Sequence, residues 1–133
     1  MRILLSTILL VLLPFVGTDA VAQNLSIELS TPNDGATVKQ RQYVKGSVSD
    51  PGAVVIVVVH PTETSDFWIQ PPVTVKNSGA WKVKAHFGQV GKDQGAEFEV
   101  RAFANPAGSI NEGRMGNWPI AEVQSDVIDV TRN

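Results

Sequence analysis

The sequence predicts an all-β domain, a single antiparallel β-sandwich of about seven strands, preceded by an export signal. Three observations carry this expectation. Apolar residues after position 22 recur at every second position rather than at helical spacing. One segment, Ala53 to Val59, is an unbroken apolar run that is β-branched from Val54 onward, and β-branched side chains crowd a helix and suit a pleated sheet. Turn clusters of Pro, Asn, Asp and Gly punctuate the chain at spacings of about 8–12 residues, the rhythm of a sandwich.

The N-terminal segment follows the three-part grammar of a secretory signal peptide. Arg2 supplies the positive charge, Ile8 to Leu13 with Phe15 and Val16 form the apolar stretch, and Ala20-Val21-Ala22 offers a small-x-small cleavage site. A membrane-spanning helix needs about 20 apolar residues, and Pro14, Gly17 and Asp19 interrupt or follow the stretch here. The expected cut falls between Ala22 and Gln23. It leaves a domain of residues 23–133 that is periplasmic or secreted, with no membrane insertion once the signal is removed.

Composition narrows the chemistry. The chain has 133 residues, no cysteine and a formal net charge of −2. Without cysteine there is no disulfide, no thiol nucleophile and no Cys-ligated zinc, so stability rests on apolar burial and sheet hydrogen bonds. Residues 23–133 are enough for a core without such staples. Charges of both signs are interspersed, with no basic block, which gives none of the electrostatic footprint of nucleic-acid binding or of an anionic membrane surface.

Along the chain, Leu25, Ile27 and Leu29 alternate with Ser26, Glu28 and Ser30, predicting a first strand with one buried face. Thr31-Pro32-Asn33-Asp34-Gly35 is a turn cluster. Val44, Gly46 and Val48 share one face of the next strand, and the glycine leaves space for a large ring, for which Trp81 is the candidate. Val54 to Val59 lacks alternation, so it is either buried on both faces or paired at the sheet centre with loops packed over it, and it is expected as the central core strand, with His60-Pro61 at its end. Val73 and Val75, the Asn77-Ser78-Gly79 turn, and Trp81, Val83, Ala85 and Phe87 form the clearest hairpin. Phe98, Val100, Ala102 and Ala104 give another strand. Residues 106–121 are expected as a loop carrying Met115 and Trp118, and Val123, Val127, Ile128 and Val130 mark the final strand.

These features together resemble the bacterial immunoglobulin-like modules of exported and cell-surface proteins. The residues that carry the resemblance are Ser30 to Val38, Val44-Lys45-Gly46, Val57 to Pro61, Phe67 to Pro71, Ser78 to Trp81 and Gly95 to Ala102, spanning roughly residues 25–105. The resemblance implies an immunoglobulin-like sandwich and an adhesive, spacer or ligand-binding role. Its motifs are turn and core positions, which specify a fold more than a function.

Catalytic constellations are missing from the sequence. The two histidines, His60 and His86, have no ligand cluster at metal spacing. The polar loop Thr62 to Asp66 contains hydroxyls and acids but no nucleophile elbow, phosphate loop or HExxH. Dispersed aspartates do not make a calcium loop. The expectation is therefore a non-enzymatic module without cofactor or metal. The strongest lead is aromatic: Asp66, Phe67 and Trp68 ahead of Pro71-Pro72, and Trp118 beside Pro119. Indoles in loops suit stacking on a sugar or capture of a peptide, or they plug the open ends of the sandwich. The first expectation is interaction with an envelope or extracellular protein. The alternative is a carbohydrate-binding module using Trp68 and Trp118.

Overall fold

The computed structural model describes residues 24–133. The expected signal peptide, residues 1–22, lies outside them. The strands in chain order are β1 (Ile27–Thr31), β2 (Ala36–Val38), β3 (Arg41–Val48), β4 (Val55–Pro61), β5 (Phe67–Ile69), β6 (Thr74–Val75), β7 (Ala80–His86), β8 (Glu97–Pro106), β9 (Gly113–Met115), β10 (Ala121–Gln124) and β11 (Ile128–Arg132). The described residues contain no helix, and therefore none long and apolar enough to cross a membrane.

Two sheets face each other. The smaller runs β1-β3-β7-β6 and the larger β2-β11-β8-β4-β5-β9, with β10 also on β8. This is the A-B-E-D against G-F-C-C′ order of an immunoglobulin-like sandwich. The larger strand count than the sequence suggests comes from short pieces. β2, β5 and β9 have three residues each, too few to show a period. The final strand is split into β10 and β11 at Ser125. There the Ser125 amide donates to the Ala102 carbonyl, and its hydroxyl accepts from the Ala102 amide (2.9 Å) and donates to the Asp126 carbonyl (2.9 Å). A side chain thus stands in for ladder bonds, and the strand bulges. One pair departs from the antiparallel expectation: β2 lies parallel to β11. The turn after β1 carries the chain from one sheet to the other, and Asp34 Oδ1 fixes the crossing by accepting from the Asp129 amide (2.7 Å).

The valine run explains the layering. In β4, Val55, Val57 and Val59 point between the sheets and join Val44, Trp81, Val83, Phe87, Phe98 and Val100 in the main core. Ile56 and Val58 point the other way into a second apolar cluster with Phe67, Ile69 and Phe103. That cluster is roofed by Ile110, Met115, Trp118 and Ala121. Residues 107–120 are therefore a lid over the outer face of the larger sheet, held along one side by β9 pairing with β5. Burial on both faces is why the run from Val55 to Val59 does not alternate, whereas Val54, expected in the same run, precedes the strand and is exposed.

Gly46 pairs with Trp81 across β3 and β7. A Cβ at Gly46 would collide with the Trp81 ring and the Glu28 carbonyl, so the glycine is the slot in which the indole lies. The indole N–H finds no hydrogen-bond partner there. An orphaned buried donor costs about 1–3 kcal/mol, which the ring's burial at 2 % exposure must offset. Gly79, at φ 90°, closes the β6–β7 hairpin in a conformation that side chains rarely adopt.

Two outcomes test this architecture. Val57→Asp places an unpaired charge at a fully buried position, and is expected to unfold the domain, because the cost is comparable to a whole domain stability of about 5–15 kcal/mol. A variant that stays soluble and melts cooperatively by circular dichroism would contradict the placement of β4. Gly46→Ala is expected to lower the unfolding free energy by about 3 kcal/mol through overpacking against Trp81, measured by urea titration.

Candidate functional site

The four residues singled out from the sequence do not form one surface. β5 alternates buried, exposed, buried, so Phe67 and Ile69 point into the cluster under the lid and Trp68 points to the inter-sheet side. Trp68 lies on a strand, not in a loop, pairing with Val59 on one side and Arg114 on the other. Phe67 is 9 % exposed and stacks on the His60 ring at 3.9 Å with an interplanar angle of 3°. It is a packing residue. Trp118 is half-buried and meets Phe67 edge-on at 4.9 Å and His60 at 5.9 Å. Its indole fills the lid. Asp66 is engaged in an ion pair with Arg114 (3.2 Å), which ties the start of β5 to β9. Trp68 alone, at 42 % exposure, presents a free aromatic surface.

The histidines also separate. His60 follows Ile56 and Val58 on the outer face of the larger sheet, whereas His86 is exposed on the outer face of the smaller one. His60 Nδ1 lies 2.9 Å from the Asp66 carbonyl. A carbonyl only accepts, so Nδ1 carries the proton. Nε2 then faces the Glu99 carboxylate at 3.9 Å. Among the described residues, no three His, Asp or Glu side chains gather into a metal-sized group.

Trp68 lines a groove of about 470 Å³ at the open mouth between the two sheets. Val59, Pro61 and Phe98 supply apolar wall, and Gln70, His86, Gln89, Asp93 and Glu112 supply polar groups. Nothing in the sequence groups these five, and His86 is considered there only as a metal ligand. Their positions follow from long-range pairing. Gln70 is 6 % exposed, and all its bonds are local to the mouth. Its amide donates to the Val57 carbonyl (2.9 Å), its Nε2 donates to the Trp68 carbonyl (3.0 Å), and its Oε1 accepts from the His86 amide (2.8 Å). One side chain thus joins the larger sheet to the smaller beside Trp68. A glutamine following an apolar strand triplet and preceding two prolines is the one local signal that a satisfied buried polar group belongs there.

The rim opposite Trp68 is the 87–96 turn. Asp93, at φ 67°, accepts from the Gln89 amide through Oδ2 (2.8 Å). Arg132, 5 % exposed, reaches across from β11 and donates through Nη1 to the carbonyls of Phe87 (2.7 Å) and Gln89 (3.2 Å). A guanidinium spends its donors on backbone here, which sets the rim rigidly.

The sequence matches no family model and no curated protein.

Gln70→Leu is expected to cost about 1–3 kcal/mol, because the His86 amide and the Trp68 carbonyl lose their partner while volume is roughly kept. Chemical denaturation measures the loss. A stability unchanged from that of the parent protein would mean that this inter-sheet tie carries no weight.

Proposed function

We propose that this chain is a non-catalytic binding domain of the exported, bacterial immunoglobulin-like kind, and that it holds a saccharide in the mouth groove with one ring against Trp68. The observation that carries the reading is the half-exposed indole in the mouth groove of about 470 Å³, flanked by the side-chain amide of Gln89, the carboxylates of Asp93 and Glu112, and the imidazole of His86. An aromatic platform beside a few convergent polar groups is the chemistry of a sugar site: the apolar face of the ring stacks, and its hydroxyls bond at the edge. The reading gives the single platform to Trp68 and assigns Trp118 to packing. A binding rather than catalytic role draws support from His60, whose ring is engaged by the Asp66 carbonyl and stacked on Phe67. Export follows from the N-terminal grammar, and an envelope or extracellular setting would supply such glycans.

Tryptophan fluorescence of the purified protein, titrated with a panel of neutral oligosaccharides, tests the proposal. A saturable change is expected with at least one of them. Trp68→Ala is expected to weaken binding by about tenfold or more, or ~1.4 kcal/mol, with the melting transition retained. Trp118→Phe should leave affinity within about twofold. A flat response across the panel would overturn the saccharide reading and direct the search to an envelope or extracellular protein partner.

A further inference from the structure

The chain has no basic run, yet the register builds a basic face. The outward residues of β3 are Arg41, Tyr43 and Lys45, and those of β7 are Lys82, Lys84 and His86. Pairing sets Arg41 opposite His86, Tyr43 opposite Lys84, and Lys45 opposite Lys82. Four permanent cations therefore share one side of the smaller sheet in a protein of net charge −2. Successive outward residues on a strand stand roughly 7 Å apart, and directly opposed ones about 5 Å apart. None of the four has a carboxylate at ion-pair distance among the described residues, where the ion pair is Arg114–Asp66 and the other close contact of this kind is the His60 ring with Glu99. Glu28, a carboxylate on the same face, stands on the edge strand β1 opposite Ser47.

Two details distinguish this face from a merely solvated one. Lys45 and Lys82 are directly opposed like charges, an arrangement that destabilises a sheet. A sequence selected for stability alone would place an acid at one of these positions. The second detail is Tyr43. Its ring is 43 % exposed, with the ammonium groups of Lys82, Lys84 and Lys45 at 5.2, 5.3 and 6.0 Å from its centre. The ring and Arg41, Lys82, Lys84 and His86 line a shallow depression of about 330 Å³, walled by Pro71 and Pro72.

We propose that this face binds an acidic polysaccharide, a glycan carrying repeated carboxylate or sulfate groups, laid along β3 and β7 with one sugar ring over Tyr43. Charge complementarity selects a polyanion. The single aromatic ring among spaced cations fits alternating sugar rings and acidic groups. The outward positions of β3 and β7 carry no large aliphatic side chain to enter a bilayer; their apolar members are Tyr43 and Ala80. This surface is separate from the Trp68 groove and shares only His86 with it, so it stands whether or not that groove takes a sugar.

Isothermal titration of the purified protein with polygalacturonate and with dextran sulfate, against neutral dextran, tests the proposal at several salt concentrations. Binding is expected to at least one acidic polymer, tighter at low salt than any binding to dextran, with affinity falling as salt rises. The double substitution Lys82→Gln/Lys84→Gln is expected to weaken binding at least tenfold and to flatten the salt dependence. Tyr43→Ala should weaken it several-fold with the salt dependence unchanged. Trp68→Ala should have no effect, which separates this surface from the groove. Lys82→Glu places an acid opposite Lys45 and is expected to raise the melting midpoint while abolishing binding; a lowered midpoint would remove the like-charge argument. No binding to either acidic polymer at low salt, or binding unchanged by the double substitution, would overturn the proposal. Tighter binding to an oligo-dT strand or to phosphatidylglycerol vesicles than to both polymers would overturn it too, and would assign the face to a nucleic acid or a lipid surface.

Discussion

Burial of β4 on both faces is the constraint from which the rest of the structure follows. A strand with apolar residues at every position from Val55 to Val59 cannot lie on a simple two-layer sandwich, because one of its faces would meet water. The opposing sheet covers Val55, Val57 and Val59, and the 107–120 segment must cover Ile56 and Val58. That second requirement recruits Phe67, Phe103, Met115 and Trp118, and it accounts for the existence of β9. It also fixes the parity of β5: once Phe67 and Ile69 belong under the lid, Trp68 has to face the mouth.

The energetic logic of the mouth differs from that of the core. Apolar area dominates between the sheets, while backbone satisfaction dominates at their open end. Gln70 and Arg132 are both nearly buried, and each bonds to backbone groups. A buried guanidinium without a carboxylate is tolerable because carbonyl oxygens replace the water it loses, and the main-chain dipoles are held in place by the sheets. The groove is consequently preorganised on both rims, one by Gln70 beside Trp68 and the other by Arg132 behind Gln89.

The period-two strands, the Gly46 slot for Trp81 and the doubly buried valine run are all legible in the sequence, since each is a local pattern or a volume argument. The site is less so. Phe67-Trp68-Ile69 contains three large apolar residues in succession, and nothing within the triplet says which faces water. That choice is made by pairing Trp68 with Val59, a partner in another strand. The same holds for the partition of the two tryptophans, which lie on opposite sides of the larger sheet. The basic face is hidden for a related reason. Lys82 and Lys84 alternate visibly, but their companions Arg41 and Lys45 lie some forty residues earlier, and only the β3–β7 register brings them together.

The Arg132 contacts have a temporal consequence. The rim at Phe87 and Gln89 is held by a residue near the C-terminal end of the chain, and β2 is completed only when β11 lies parallel beside it. A chain still emerging from synthesis can form the valine strand and its hairpins before the mouth is finished. The groove is thus a property of the fully assembled domain, and until β11 docks its far rim does not yet exist.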